Sequence, residues 1–341
     1  MSKSFEPDIV SCYKKVLLLG VLAAVGLVLT QAAFWVSIAA AAVALIALLI
    51  LLDAFFFAGA VYDNCGEPTA ISGLLQLLPW CIFPFVQVHF SDNGLTTLAF
   101  ASGIFNMAGF YLYFQALMRD QDAVWISIFW NLMIALVPLL AWLTLGEQLS
   151  VVQYGGIALI FGGACLATFH KTGLRTSVIP RMIGAILFMS VSTVMMKHVF
   201  NGLDVAGNAS PFWSGYLPHA AGSAAVGIFC LFGLVARRRT RLHFLPMVKR
   251  LWPIFFMMEL VQVSADLMYS RALSLGLASI VAAMDGLMGV FSAGLALLAA
   301  SLLAGSRYGQ VSAELYRYQL SNFSVKLAGM GAITVGAYLI V

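Results

Sequence analysis

Long apolar stretches separated by short clusters of charged residues run through the chain from residue 16 onward. Eleven can be marked: 16–33, 37–61, 69–89, 95–118, 123–145, 151–169, 182–200, 211–236, 251–273, 277–304 and 326–341. Between Val16 and Leu52 there is no charged residue, a run of 37. One membrane helix takes roughly 17–25 apolar residues, so this run predicts two helices with a tight turn near Thr30–Trp35. Only helices or closed barrels satisfy every backbone N–H and C=O in lipid, and these lengths are helical. The pattern predicts an all-α polytopic membrane protein whose consecutive helices, joined by short connections, pack as antiparallel neighbours.

Composition sharpens this reading. Apolar residues make up 62% of the chain and charged residues 9%, against roughly 25% charged in a soluble domain. Such a chain cannot dress a water-soluble surface. The net charge of +4 is no nucleic-acid signal, because the basic residues sit in short connections beside apolar stretches. Lys171, Arg175 and Arg181 mark one connection; Arg237, Arg238, Arg239, Arg241, Lys249 and Arg250 mark the loop expected at 237–250; Arg307 and Arg317 mark a third. These lie two stretches apart, so all can face the cytoplasm, with Arg119 and the tail residues Lys3, Lys14 and Lys15. The expected topology has eleven spans, amino terminus in and carboxyl terminus out, in the inner or plasma membrane. Lys14-Lys15, the run to Leu29 and Thr30-Gln31-Ala32 loosely fit a cleaved export signal, but a retained first helix is the simpler expectation. The five cysteines show no paired spacing and read as small buried hydrophobes.

An internal repeat follows. Phe105–Leu117 and Val261–Leu273 align with Tyr113 on Tyr269 and Asn106 on Gln262. Ser127–Leu143 aligns with Ala282–Leu298, setting Trp130 on Asp285. Gln148-Leu149-Ser150 recurs as Gln319-Leu320-Ser321, after which Gly156 and Gly163 answer to Gly329 and Gly336. Three windows in the same order predict two five-helix halves, and an odd number of spans per half inverts one against the other. Inverted repeats are a device of transporters, with the substrate site near the midplane. The expected layout is a tail and leading helix at 1–36, a first repeat at 37–170 and a second at 171–341.

The segment YLYFQALMRDQDAVWISIFWNLMIALVPLLAWLTLGEQLSVVQYGGIALIFGGACL resembles the last three helices of a repeat in the EamA-like branch of the drug/metabolite transporter superfamily. The resemblance is carried by Ala116-Leu117, the closing Leu145-Gly146-Glu147 and the glycine-rich helix after it, and covers about 37–341. It implies a ten-helix core of two inverted five-helix repeats. The first four helices of each repeat would enclose a central cavity, and the fifth would pack between the halves. This chain departs in having an extra N-terminal transmembrane helix. In place of the second Gly-Glu turn it has Ala304-Gly305-Ser306-Arg307 and an insertion, GQVSAELYRYQL, which reads as an interfacial helix or a solvated loop.

Charged groups at membrane depth cost roughly 2.5–3.5 kcal/mol each on insertion scales, so each calls for a reason. Glu259, Gln262, Asp266 and Tyr269 are spaced to share one helical face, either lining a watered cavity or making a polar helix–helix contact. The matching face of the earlier helix is Gly103, Asn106, Phe110 and Tyr113, which is uncharged. Asp285 could load and release a proton, pair with a cationic substrate, or serve a neighbouring helix. Lys197 reads either as a side chain snorkelling to the interface or as a counter-ion for Asp285 or Asp266. Trp130, beside Asn131, could stack on a substrate; Trp125 reads as an interfacial anchor, and Asp53 as cavity-lining or near the surface. His89, His170, His219 and His243 fall near expected span ends or loops without ligand spacing. Pro79, Pro84 and Pro138 can kink their helices. Gly155/Gly162, Gly156/Gly163 and Gly329/Gly336, each seven apart, read as packing positions.

The expected function is secondary active transport or export of a small polar metabolite by alternating access, with proton coupling as one form. The alternatives are a non-transporting scaffold or receptor of the same fold, or a membrane-embedded lipid-modifying enzyme, for which no HxxxH or HExxH spacing is present. Expected partners are the lipid bilayer and a small-molecule substrate, with a homodimer allowed and nucleic acid excluded. No metal or cofactor is expected, and enzymatic activity is not.

Overall fold

The computed structural model describes residues 34–58, 62, 64–90, 93–119, 129–167, 178–236, 238–288, 291, 294–295 and 323–340; side chains are described to 49 in the first helix and from 244 in the eighth. The leading stretch 16–33, Trp125, the basic connection 170–177, the insertion at 309–320 and the side chain of Asp53 lie outside the described residues. The described secondary structure is helical, in chain order α1 (Phe34–Ala58), α2 (Gly66–Leu75), α3 (Asn93–Arg119), α4 (Leu132–Leu145), α5 (Val151–Ala167), α6 (Ile179–Val205), α7 (Pro211–Ala236), α8 (Arg238–Leu275), α9 (Ala278–Met284) and α10 (Phe323–Ile340). Short 3-10 helices occupy Leu78–Phe85 and Asp285–Leu287. Among these residues five helical stretches are long and apolar enough to cross a membrane: Gly66–Phe85, Asn93–Arg119, Ile179–Val205, Pro211–Ala236 and Phe244–Leu275. Outward-facing aromatics agree with a lipid surround. Phe229 and Phe232 on α7 are 79% and 71% exposed, a placement that water penalises and hydrocarbon does not. The chain is an all-α integral membrane protein.

Three expectations about the elements need correction. The stretch 69–89 is not one helix: α2 ends at Leu75 and a 3-10 helix begins at Leu78, with Pro79 in its first turn and Pro84 inside it. Proline lacks the N–H an α-helix needs and crowds the turn before it, which favours ending α2 there. The stretch 277–304 is likewise interrupted, since α9 gives way to a 3-10 turn at Asp285–Leu287. The basic segment expected as a loop is not one from Arg238 on. It is the start of α8, a 38-residue helix that contains Pro246 and Pro253. Arginine, lysine and leucine are good helix formers, and their abundance there outweighs the prolines.

Packing is organised in pairs. α3 packs on α6 and α7, α1 on α8, α2 on α7, α4 on α6 and α9, and α5 on α10. Three of these pairs close on glycine. A Cβ on Gly103 would overlap the His219 carbonyl, and one on Gly222 the Phe100 carbonyl, so α3 and α7 meet backbone to backbone. Gly73 and Gly227 do the same for α2 and α7, with a Cβ on Gly73 falling 2.6 Å from the Gly227 Cα. In the α5–α10 pair, a Cβ on Gly163 would lie 2.6 Å from the Gly329 carbonyl oxygen, and one on Gly336 at 2.6 Å from that of Gly156. Small residues of this kind let helices approach closely enough for dispersion to hold them in lipid. Gly155 and Gly162 belong to no such seam, because a Cβ there would meet nothing within 4 Å.

Candidate functional site

A small cavity lies among the helices. Its walls come from Ile46 on α1, Asn106 and Phe110 on α3, Trp130 and Met133 at the start of α4, and Met189, Ser192, Thr193 and Met196 on α6. His219 on α7, Gln262, Asp266, Tyr269, Ser270 and Leu273 on α8, and Asp285 complete them. No described residue of α5 or α10 takes part. A mostly apolar wall with a few convergent polar groups is the usual make-up of a small-molecule site.

The stripe on α8 divides. Gln262, Asp266 and Tyr269 face the cavity, and Asp266 is held from two sides: Gln76 on α2 donates Nε2 to Oδ2 at 2.6 Å, and Gln262 donates Nε2 to Oδ1 at 3.1 Å. Glu259, one turn beyond, does not line the cavity. Its Oε1 accepts the Ser72 hydroxyl of α2 at 2.5 Å, so it is a polar contact between α2 and α8. Ser72 and Gln76 stand four apart on α2, one turn, and so reach two positions seven apart on α8.

Asp285 sits where the α-helix of α9 tightens into the 3-10 turn. Its neighbour Gly286 lies against Ile160 and Ile134, where no Cβ would fit. The carboxylate is buried in the cavity wall, and the Tyr269 hydroxyl lies beside it and beside Thr193. Trp130 also lines the cavity, with Tyr113 at 5.7 Å between ring centroids, edge-on. Tyr113 is 1% exposed and supports the wall rather than forming it. Asn131, buried, occupies the turn at the start of α4.

Lys197 meets neither expectation. α6 continues to Val205, so Lys197 is not at a helix end. Its ammonium is buried and donates to the Leu273 carbonyl at the end of α8, at 3.1 Å, instead of pairing with Asp266 or Asp285. Nearby, α4 ends at Gly146, whose φ of +66° is a left-handed turn that glycine adopts without strain. That turn swings Glu147 across to α9. Its carboxylate accepts the Ala278 N–H at 2.9 Å, the Ser279 N–H at 3.1 Å and the Ser279 hydroxyl at 2.7 Å. Glu147 and Lys197 thus hold the two ends of the turn between α8 and α9, which shapes one end of the cavity.

His219 corrects its expected position near a span end. It lies inside α7, buried, and its Nδ1 meets the Ser102 hydroxyl of α3 at 2.8 Å. Nothing in the linear pattern marks it, because its neighbours in space come from another helix through the Gly103–Gly222 seam. Among the described residues no group of three His, Cys, Asp or Glu side chains could hold a metal ion. No protein-family model matches the chain, and no curated protein matches it.

Proposed function

We propose that the protein is a secondary active transporter or exporter of a small polar metabolite, working by alternating access with the central cavity as its substrate site. The observation that carries this reading is the cavity itself, at a helix break and lined by two carboxylates within the membrane-spanning bundle. Discontinuous helices at the midplane are where transporters bind substrates and coupling ions. Intramembrane carboxylates that face a cavity mark ion or proton pathways.

Support for two inverted five-helix repeats in an EamA-like arrangement comes from how the helices pair. Exchanging α1 with α6, α2 with α7, α3 with α8, α4 with α9 and α5 with α10 turns the α3–α6 contact into the α8–α1 contact. The pairs α2–α7, α4–α9 and α5–α10 map onto themselves. The glycine contacts of α5 and α10 obey the same exchange, since Gly163 on Gly329 becomes Gly336 on Gly156. Two of the helix irregularities fall at aligned positions, Asn131 before α4 and Gly286 in the 3-10 turn after α9. The topology that goes with this reading puts the amino terminus and the 237–250 segment in the cytoplasm and Val341 outside. Impermeant thiol reagents on single cysteines at Ser2 and Val341 test it; labelling from one side at both positions would sink the eleven-span arrangement.

The functional test is uptake by proteoliposomes from a mixture of small metabolites, with and without an imposed pH gradient. Accumulation of one or more solutes above protein-free vesicles is expected. Its absence in both directions, from protein that retains its melting transition, would rule out transport and favour a scaffold or receptor.

A further inference from the structure

The cavity is rich in hydrogen-bond acceptors and poor in cations. Among the described residues two carboxylates line it, and no lysine or arginine does. Two cations of the helices that form its walls, α6 and α8, are turned elsewhere: Lys197 to the Leu273 carbonyl, and Arg271 over the Phe212 ring at 5.3 Å. Asp266 already accepts two amide N–H groups, one on each oxygen. Asp285 is 2% exposed, and among the described residues the Tyr269 hydroxyl is the polar group beside its carboxylate. His219 adds a third acceptor. The Ser102 hydroxyl lies 2.6 Å from the Ala99 carbonyl and 2.8 Å from His219 Nδ1. With the Ser102 proton on the Ala99 carbonyl, His219 donates from Nδ1 and Nε2 is its acceptor. A buried carboxylate with no cation beside it among the described residues is costly unless something cationic or donating comes to it. Around these acceptors stand the faces of Trp130 and Phe110 and the thioethers of Met133, Met189 and Met196, which fit an apolar body and attract a cation over the rings.

We propose that the cavity takes a primary organic amine, a single ammonium group on a small apolar or aromatic body, with Asp285 as its anionic partner and His219 Nε2 as a second acceptor. This names the substrate class of the site and rests on the transport reading only for its physiological use.

The test is equilibrium binding to the purified full-length protein of three probes that share one body: 2-phenylethylamine, 2-phenylethanol and phenylacetate. The amine is expected to bind at least tenfold more tightly than either companion. Asp285→Asn should reduce the amine to the level of the alcohol, while Asp266→Asn, whose carboxylate is already engaged, should retain most of the preference. If the alcohol or the acid binds as tightly as the amine, the proposal fails. It fails equally if Asp285→Asn folds and keeps wild-type amine affinity. Should that variant not fold, the wild-type ranking alone decides. Flux is read separately in proteoliposomes. Selective amine binding without amine flux would remove the transport reading and leave the substrate class. Phenylacetate flux without amine selectivity would do the reverse.

Discussion

In the first half of the chain Tyr113 on α3 meets the ring of Trp130 edge-on; in the second half Tyr269, its aligned counterpart on α8, meets the carboxylate of Asp285. The joint is the same and the chemistry is not. Asn106 on α3 likewise answers to Gln262 on α8, but only α8 adds an aspartate one turn further along. The debt runs the other way at the end of the cavity. The first half supplies Glu147, which caps α9, and the aligned region of the second half has Ala304-Gly305-Ser306-Arg307. One wall therefore carries apolar and aromatic contact and lends a carboxylate for structure, while the other carries the titratable groups. On the proposed repeat, such a division lets one half specialise in charge while the helix pairing stays common to both.

The largest expected effect probes the lent carboxylate. Glu147→Ala leaves the Ala278 and Ser279 amides without their acceptor and should lower stability by about 2–3 kcal/mol, read as a fall in melting temperature of the purified protein. A change within experimental error would mean that the cap is incidental. Asp285→Asn keeps the size of the side chain and removes its titration, so gradient-driven flux should drop at least tenfold, roughly 1.4 kcal/mol, with the fold intact. Unchanged dependence on the pH gradient in both Asp285→Asn and Asp266→Asn would take proton coupling away from the second half. Gly163→Ala forces a methyl into the α5–α10 seam and should cost about 1 kcal/mol, whereas Gly155→Ala, facing open space, should be neutral or stabilising by up to about 0.5 kcal/mol. Equal effects at the two positions would undo the distinction between the seam and its neighbours. The smallest effect belongs to Trp130→Phe. It trims the edge contact with Tyr113 and should weaken substrate affinity about twofold, near 0.5 kcal/mol, while the response of flux to pH stays as in wild type.

Helix positions were legible because apolar runs of membrane length leave little choice of structure. All ten described α-helices overlap a stretch marked by hydropathy alone. Breaks were not legible in the same way. Asp285 gives no local signal of a 3-10 turn; that turn lies where Gly286 is pressed against Ile160 of α5, a contact 126 residues away in sequence. The clustering of candidate residues was legible only in part. Helical spacing put Gln262, Asp266 and Tyr269 on one face, and they share the cavity with Asn106, Trp130 and Asp285. Spacing could not separate Glu259 from them, because which part of a stripe meets a cavity and which meets Ser72 depends on where α2 ends. Lys197 and His219 were misjudged for a related reason. Their partners, a helix-end carbonyl and a serine across a glycine seam, are visible only once the helices are docked.

The Glu147 cap has a consequence for how the protein is made. The ribosome delivers residue 147 some 130 residues before Ala278 and Ser279, the groups that will take its charge. Through that interval the nascent chain holds an anion beside the end of α4 with its eventual partners still unsynthesised. The carboxylate must stay at the water boundary, or be chaperoned, until α9 arrives. Insertion of the second half is then also the event that withdraws this exposed anion, so a chain stalled before residue 278 would display a negative flag that the finished protein hides.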